Sequence, residues 1–298
     1  IFFSFLPMWR DVLIAAVLIL LTSGSHADTC GVKWPDGFFA NLSCTPYYKQ
    51  VWDLLEAGKW EPTTFRTFSL FLTRATSYIG FGSWVGPMLL YASQRSRQAF
   101  GCEPDPIAYE QLALGVSANP GYALSIRTFN QGMSDYDGSF TMAPRQQRGD
   151  SMSRVVSDPA KSRTARSRGP SKGRWKVKCM TLPSFIREHN IPPPYFVKVD
   201  TEGHEKVLIP SWYSWLSKRN FNITIFLSMH IFFTGAYSPK VNDQFRSVLR
   251  LFPHVYAVGD GAQYLKRVPT NTRFPLCSSC DYVLSDFLPT NALEYIAS

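Results

Sequence analysis

The sequence predicts an α/β domain on a doubly wound, mainly parallel sheet with helices on both faces, and three observations carry that expectation. From residue 75 onward short apolar runs alternate with helix-like stretches. The first run ends in closely spaced glycines, Gly80, Gly82 and Gly86, and the second ends in an acid, Glu103. Strands alternating with helices favour parallel crossovers. A glycine turn followed one βαβ unit later by a carboxylate is how a Rossmann-like sheet holds an adenosine-containing cofactor.

The elements follow in order. Residues 28–74 are rich in aromatic residues and read as a small N-terminal cap of short helices, with Trp52 to Leu55 ending at Gly58. Tyr78-Ile79 closes the first strand, and Pro87 to Gln94 is a helix whose proline falls in the first turn, where a missing N–H costs little. Gln98 to Cys102 is the second strand, Pro106 to Ala118 the second helix and Ala123 to Phe129 the third strand. The pattern then lapses between about 131 and 174, where Asp135-Tyr136-Asp137-Gly138 signals a turn; a long loop is expected, with a disordered basic insertion at about 140–174. Order resumes with a strand over Val177 to Met180, a helix over Leu182 to His189 and a strand over Tyr195 to Val199. A strand over Ile223 to Ser228, a helix over Asn242 to Leu251 and a strand over His254 to Val258 follow. The domain is expected to span 75–298, with no internal repeat.

The chain of 298 residues is long enough for one large domain plus an appendage. Its net charge of +9 comes mostly from one Ser/Gly/Pro-rich segment carrying Lys161, Arg163, Arg166, Arg168, Lys172, Arg174, Lys176 and Lys178. Only Trp175 interleaves with these cations, so a solvated segment is expected and nucleic acid is not an expected partner. Val12 to Leu21 is a compact apolar run behind Arg10, and Ser25-His26-Ala27 offers a small-x-small cleavage pattern. Residues 1–27 therefore read as a signal peptide or membrane anchor, which places the domain in the secretory pathway or outside the cell.

Six cysteines fit an oxidising compartment: Cys30 with Cys44, and Cys277 with Cys280, are close enough in sequence to pair, while Cys102 and Cys179 read as buried thiols. A lone C-x-x-C argues against zinc. Asn41-Leu42-Ser43 reads as a glycosylation acceptor, whereas Asn222-Ile223-Thr224 opens a strand.

The chemistry is expected beyond the carboxyl ends of the strands. Glycines at 80, 82 and 86 are too widely spaced for a dinucleotide fingerprint, which disfavours a nicotinamide enzyme. The Gly82-x-x-x-Gly86 spacing suits S-adenosylmethionine, which lacks a phosphate and needs room beside the first strand. Asp200-Thr201-Glu202-Gly203-His204-Glu205 follows one strand and His230 another. A neutral imidazole there could accept a hydroxyl proton, with a carboxylate orienting it. Asp200 and His230 are two ligands, too few for a metal site, so no metal is expected.

Two ordered motifs resemble those of FkbM-type methyltransferases. One is Tyr78 to Pro120, with its Gly-x-x-x-Gly turn and Glu103-Pro104-Asp105-Pro106-x-x-Tyr109-x-x-Leu112; the other is Thr181-Leu182 before a helix, then Val197-Lys198-Val199-Asp200-Thr201-Glu202-Gly203-His204-Glu205. The resemblance implies a Rossmann-like fold, S-adenosyl-L-methionine as cofactor and methyl transfer, commonly to a hydroxyl of a sugar or natural product. On this reading Gly80, Gly82, Ser83 and Gly86 are expected on the cofactor's methionine and ribose side and Glu103 on its ribose, with Phe81, Pro104, Asp105 and Asp200 also among the cofactor-binding residues. Asp200, Glu202 and His230 would face a small-molecule or glycan acceptor. The family usually carries an acid where Gly80 stands, and often one where Met229 stands. Gly80 opens the rival reading, a degenerate domain that binds a glycan or an anionic partner without catalysis.

Overall fold

A computed structural model describes residues 29–146, 148–157, 173–230, 238–259, 265–269, 281–289 and 296–297. The expected leader over 1–27, the basic residues 161–172 and the Cys277/Cys280 pair lie outside the described residues. Among the described residues no helix is long and apolar enough to cross a membrane.

The N-terminal cap corrects the all-helical expectation, because it opens with a hairpin of β1 (Thr29–Lys33) and β2 (Phe39–Ser43). A disulfide between Cys30 and Cys44 closes it. Helices Pro46–Glu56 and Pro62–Phe71 follow, the first capped by Thr45, whose side chain accepts from the Tyr48 N–H. Asn41 serves structure here: its N–H donates to Asn119 Oδ1 at 2.9 Å and its Nδ2 to the Ala118 carbonyl at 3.3 Å, tying the hairpin to the main domain.

The main domain runs β3 (Ser77–Phe81), helix Pro87–Ser93, β4 (Gln98–Cys102), helix Pro106–Ser117 and β5 (Ile126–Phe129). After an excursion through β6 (Gly132–Met133), β7 (Gly138–Ala143), β8 (Arg154–Ser157) and β9 (Trp175–Met180), it resumes with helix Leu182–Glu188 and β10 (Tyr195–Val199). Helices Glu205–Ser211 and Tyr213–Leu216, β11 (Ile223–Ser228), helix Pro239–Leu249 and β12 (His254–Val258) come next, then β13 (Leu265–Arg267), β14 (Asp281–Ser285) and β15 (Ile296–Ala297). The main sheet has the order β15-β13-β12-β14-β11-β10-β3-β4-β5. β5, β4, β3, β10 and β11 are mutually parallel, and β14 lies antiparallel between β11 and β12. The order reverses direction between β3 and β10, the switch point at which such sheets bind ligands.

Period-two alternation builds both faces. Tyr78, Phe196, Phe226 and Val283 pack under the cap and helix Pro87–Ser93; Ile79, Val197, Ile225 and Leu284 pack under the helices of the second half. Every residue of β3, β10 and β11 is buried, which is why these strands read as unbroken runs rather than alternating ones. Segment 131–157, expected as loop and as the start of a disordered insertion, instead carries β6, β7 and β8: with β9 they form a second, four-stranded sheet, in the order β6-β9-β7-β8, with its own small core of Phe140, Met142, Val177 and Cys179.

Candidate active site

Register brings the functional groups together. Phe81 pairs with Val199, and Val199 with Leu227, so β3, β10 and β11 stop at one level and release Gly82, Asp200 and the Ser228–His230 turn side by side. Gly82 has a φ of +79°, and a Cβ there would lie 1.9 Å from the Asp200 carbonyl. Only glycine lets the two strand ends approach this closely. Phe81, Gly82, Ser83, Glu103, Pro104, Asp200, Glu202 and His230 all line one cavity at the switch point.

Three of the expected cofactor residues do other work. Gly80 sits inside β3, where a Cβ would meet the Tyr78 hydroxyl at 2.8 Å; its missing side chain makes room for the buried Tyr78 ring. Gly86 begins helix Pro87–Ser93 at φ +98° and clears Leu112, which a Cβ would touch at 2.6 Å. Asp105 is fully buried and caps helix Pro106–Ser117 through the Ile107 N–H at 2.9 Å, while its second oxygen accepts from Gly149 N–H at 2.7 Å. None of the three lines the cavity.

Glu103 is fixed at the cavity by the backbone. One oxygen accepts from the Trp84 N–H at 2.7 Å and the other from the Asp105 N–H at 2.8 Å. Burial, added to the nearby charges of Asp105 and Asp200, outweighs these two donors and pushes its carboxyl up to about 8. Each oxygen keeps lone-pair capacity for a further donor.

Across the cavity lies a charged network. Lys198, 2% exposed, forms an ion pair with Asp200 Oδ2. His230 Nε2 lies 3.6 Å from both Asp200 Oδ1 and Glu202 Oε1, and Nδ1 lies 3.5 Å from Glu205 Oε1. Glu205 is fully buried, and its Oε1 also accepts from the Thr201 N–H and hydroxyl, each at 2.8 Å. Burial favours a deprotonated Asp200 less, but Lys198 and His230 overcome it and hold Asp200 below the usual carboxylate range. Burial pushes Glu202 up to about 7 despite His230. Burial alone would lower His230, but the Glu205 hydrogen bond and the charges of Asp200, Glu205 and Glu202 lift it to about 10. The expectation of a neutral imidazole base is therefore corrected: His230 holds its proton at neutral pH, and Glu202 is the group poised to exchange one there.

Further residues reach the cavity from outside the expected motifs. Trp60 and Glu61 come from the cap, Gln131 and Met133 from the end of β5 onward, Phe140 and Met142 from β7 of the second sheet, and Asp150 from the segment between β7 and β8. Burial and the Glu61 charge push Asp281, paired in register with Ser228, up to about 7. Lys198 had a readable signal, a lone charge inside an apolar strand; Glu61 had none. Three non-glycine residues with left-handed backbone, Glu61, Trp84 and Glu202, line the cavity, the kind of place where such conformations concentrate.

Fold and site together define a doubly wound α/β protein with a polar cavity at its switch point. The Methyltransferase FkbM domain profile matches residues 81–256, more than half of the chain, and the chain belongs to that family of methyltransferases. No curated protein matches it by sequence. Among solved structures it is similar to a methyltransferase FkbM from Methylobacillus flagellatus KT, at 14% identity and TM-score 0.39, over 80% of this chain and 55% of that one. The chain thus spans little more than half the length of that relative. It is also similar to an rRNA methylase from Streptococcus thermophilus, at 8% identity and TM-score 0.37, over 78% of this chain and 95% of that one. A precorrin-6y C5,15-methyltransferase from Geobacter metallireducens GS-15 gives 10% identity and TM-score 0.35, over 76% and 89%.

Proposed function

We propose that this chain is an S-adenosylmethionine-dependent methyltransferase that methylates a hydroxyl of a glycan or small metabolite. The observation that carries the reading is Glu103: a carboxyl group at the end of β4, fixed by two backbone donors, with capacity left to hydrogen-bond the ribose hydroxyls and the open Gly82–Ser83 backbone lining the same cavity. The residues present fit such a cofactor. Gly82 clears the approach to β10, and Glu61, Glu103, Asp150, Asp200 and Glu202 line the wall with Lys198 and His230, so a ligand carrying ammonium and sulfonium charges would draw Glu103 and Glu202 into their ionised forms. When bound, the cofactor supplies a methyl group on a positively charged sulfur.

The chain's own residues then position the acceptor, and positioning carries much of such a reaction. His230, as an imidazolium, and Lys198 hold Asp200 ionised and would orient an acceptor oxygen. Glu202, titrating near 7, would take the hydroxyl proton. Phe140 and Met142 of the second sheet would give the acceptor an apolar wall. The Cys30–Cys44 disulfide supports a secretory or extracellular setting, since such bonds persist in oxidising compartments.

Calorimetry with S-adenosylmethionine and its demethylated product tests the reading. Wild type is expected to bind both and Glu103→Ala to bind at least ~10-fold more weakly, the loss of one or two hydrogen bonds. Undiminished binding by the variant would refute this placement of the cofactor. A second reading, a binding module without catalysis, draws on Gly80, which brings no carboxylate to β3; absence of any binding by wild type would favour it.

A further inference from the structure

The Asp200–Glu202–His230 group has a geometry that proton handling does not require. One ligand atom from each of the three residues lies within 4.8 Å of the others. The two 3.6 Å separations from His230 Nε2 are near the ~3.4 Å that separates two tetrahedral ligands at about 2.1 Å from a cation. The three come from the ends of two adjacent parallel strands, so the main sheet itself fixes their spacing.

Support from outside the three points the same way. Lys198 occupies Asp200 Oδ2 and leaves Oδ1 turned toward His230. Glu205, fully buried, sits at Nδ1 and leaves Nε2 facing the other two acids; a carboxylate behind one imidazole nitrogen is the usual device for orienting the other toward a metal. Glu205 Oε2 and Glu202 Oε2 are buried atoms without a hydrogen-bond partner, so the site holds more carboxylate oxygen than its hydrogen-bond donors satisfy.

We propose that Asp200, Glu202 and His230 bind one divalent first-row cation, Mn²⁺ or Zn²⁺, with Glu205 and Lys198 as positioning residues and the remaining coordination position open to the cavity. Two carboxylates and an imidazole suit these ions better than Mg²⁺ or Ca²⁺, which favour all-oxygen sets. The cation would sit where His230 Nε2, Asp200 Oδ1 and Glu202 Oε1 converge. Its use, to bind an acceptor hydroxyl at that open position, rests on the methyltransferase reading; its binding does not.

The test is titration of the full chain with MnCl₂, followed by electron paramagnetic resonance, and with ZnCl₂, followed by calorimetry. One ion per chain is expected, weakened at least ~10-fold in Glu202→Gln and His230→Ala and about 10–100-fold in Glu205→Gln. Thermal melts in EDTA establish that each variant is folded, and any unfolded variant is replaced by Glu202→Ala or His230→Gln. No ion bound by wild type, or equal binding by wild type and the folded variants, overturns the proposal. S-adenosylmethionine binding, measured separately in EDTA, tells its failure from that of the methyltransferase reading.

Discussion

Gly82 shows how a single missing carbon fixes the site. Its left-handed φ of +79° and the 1.9 Å separation that a Cβ would have from the Asp200 carbonyl are both intolerable to any other residue. Gly82→Ala is expected to lower the urea midpoint by the equivalent of at least ~2 kcal/mol, the sum of left-handed strain and a forced shift of β10. Gly121→Ala, where nothing lies within 4 Å of the added carbon, is expected to be neutral or stabilising. Equal midpoints for Gly82→Ala and wild type would show that the strand ends are not held this tightly. Glu103, Asp200, Glu202 and His230 could be picked from the sequence because each follows an apolar run. The protonation of His230 could not, since it depends on three acids that meet only through strand register.

Among the elements, the strands that hold the site were the most legible: β4, β10, β11 and β12 match the sequence reading end for end, because runs such as Tyr195–Val199 are buried on both sides. Two features were less legible. In the second sheet β9 alone is legible, since β6, β7 and β8 are short strands over which little period accumulates, and β14, with its apolar Tyr282-Val283-Leu284, is too brief to be told from a buried loop. The second sheet is anchored at Gly149, whose carbonyl accepts from Trp84 Nε1 at 3.1 Å and Tyr48 at 3.4 Å while its N–H reaches Asp105. Asp105→Ala should therefore cost about 1 kcal/mol for the lost helix cap and also release the segment around 140–157. Limited proteolysis should cut that segment faster in the variant while the main sheet stays intact; an unchanged cleavage rate would mean Asp105 acts on its helix alone.

At the scale of the whole molecule, the cavity acids set a common pH dependence. Glu103, Glu202 and Asp281 hold protons in the fold up to about 8, 7 and 7, above their unfolded values of 4.5, 4.5 and 3.8, so folding takes up protons and stability falls as pH rises through that range. His230 acts with the same sign: its contribution is complete below 6.5 and lost on passing about 10. Asp200 and Asp137 are shifted the other way, so what they add is present above 3.8 and lost in acid. Urea midpoints in EDTA should therefore peak at about pH 4, where Asp200 and Asp137 are ionised and the raised groups still hold their protons in both states, and decline toward 10. A maximum at or above pH 8 would contradict this charge arrangement.

Trp60 and Glu61 reach the cavity from a segment that precedes the family match at residue 81, and β3 itself begins at Ser77. The boundary that kinship draws is thus not the boundary of the working part. A fragment cut at residue 81 would lose most of the strand at the switch point and part of the binding wall, whereas exchange of the cap between relatives offers a route to new selectivity that leaves the shared motifs untouched.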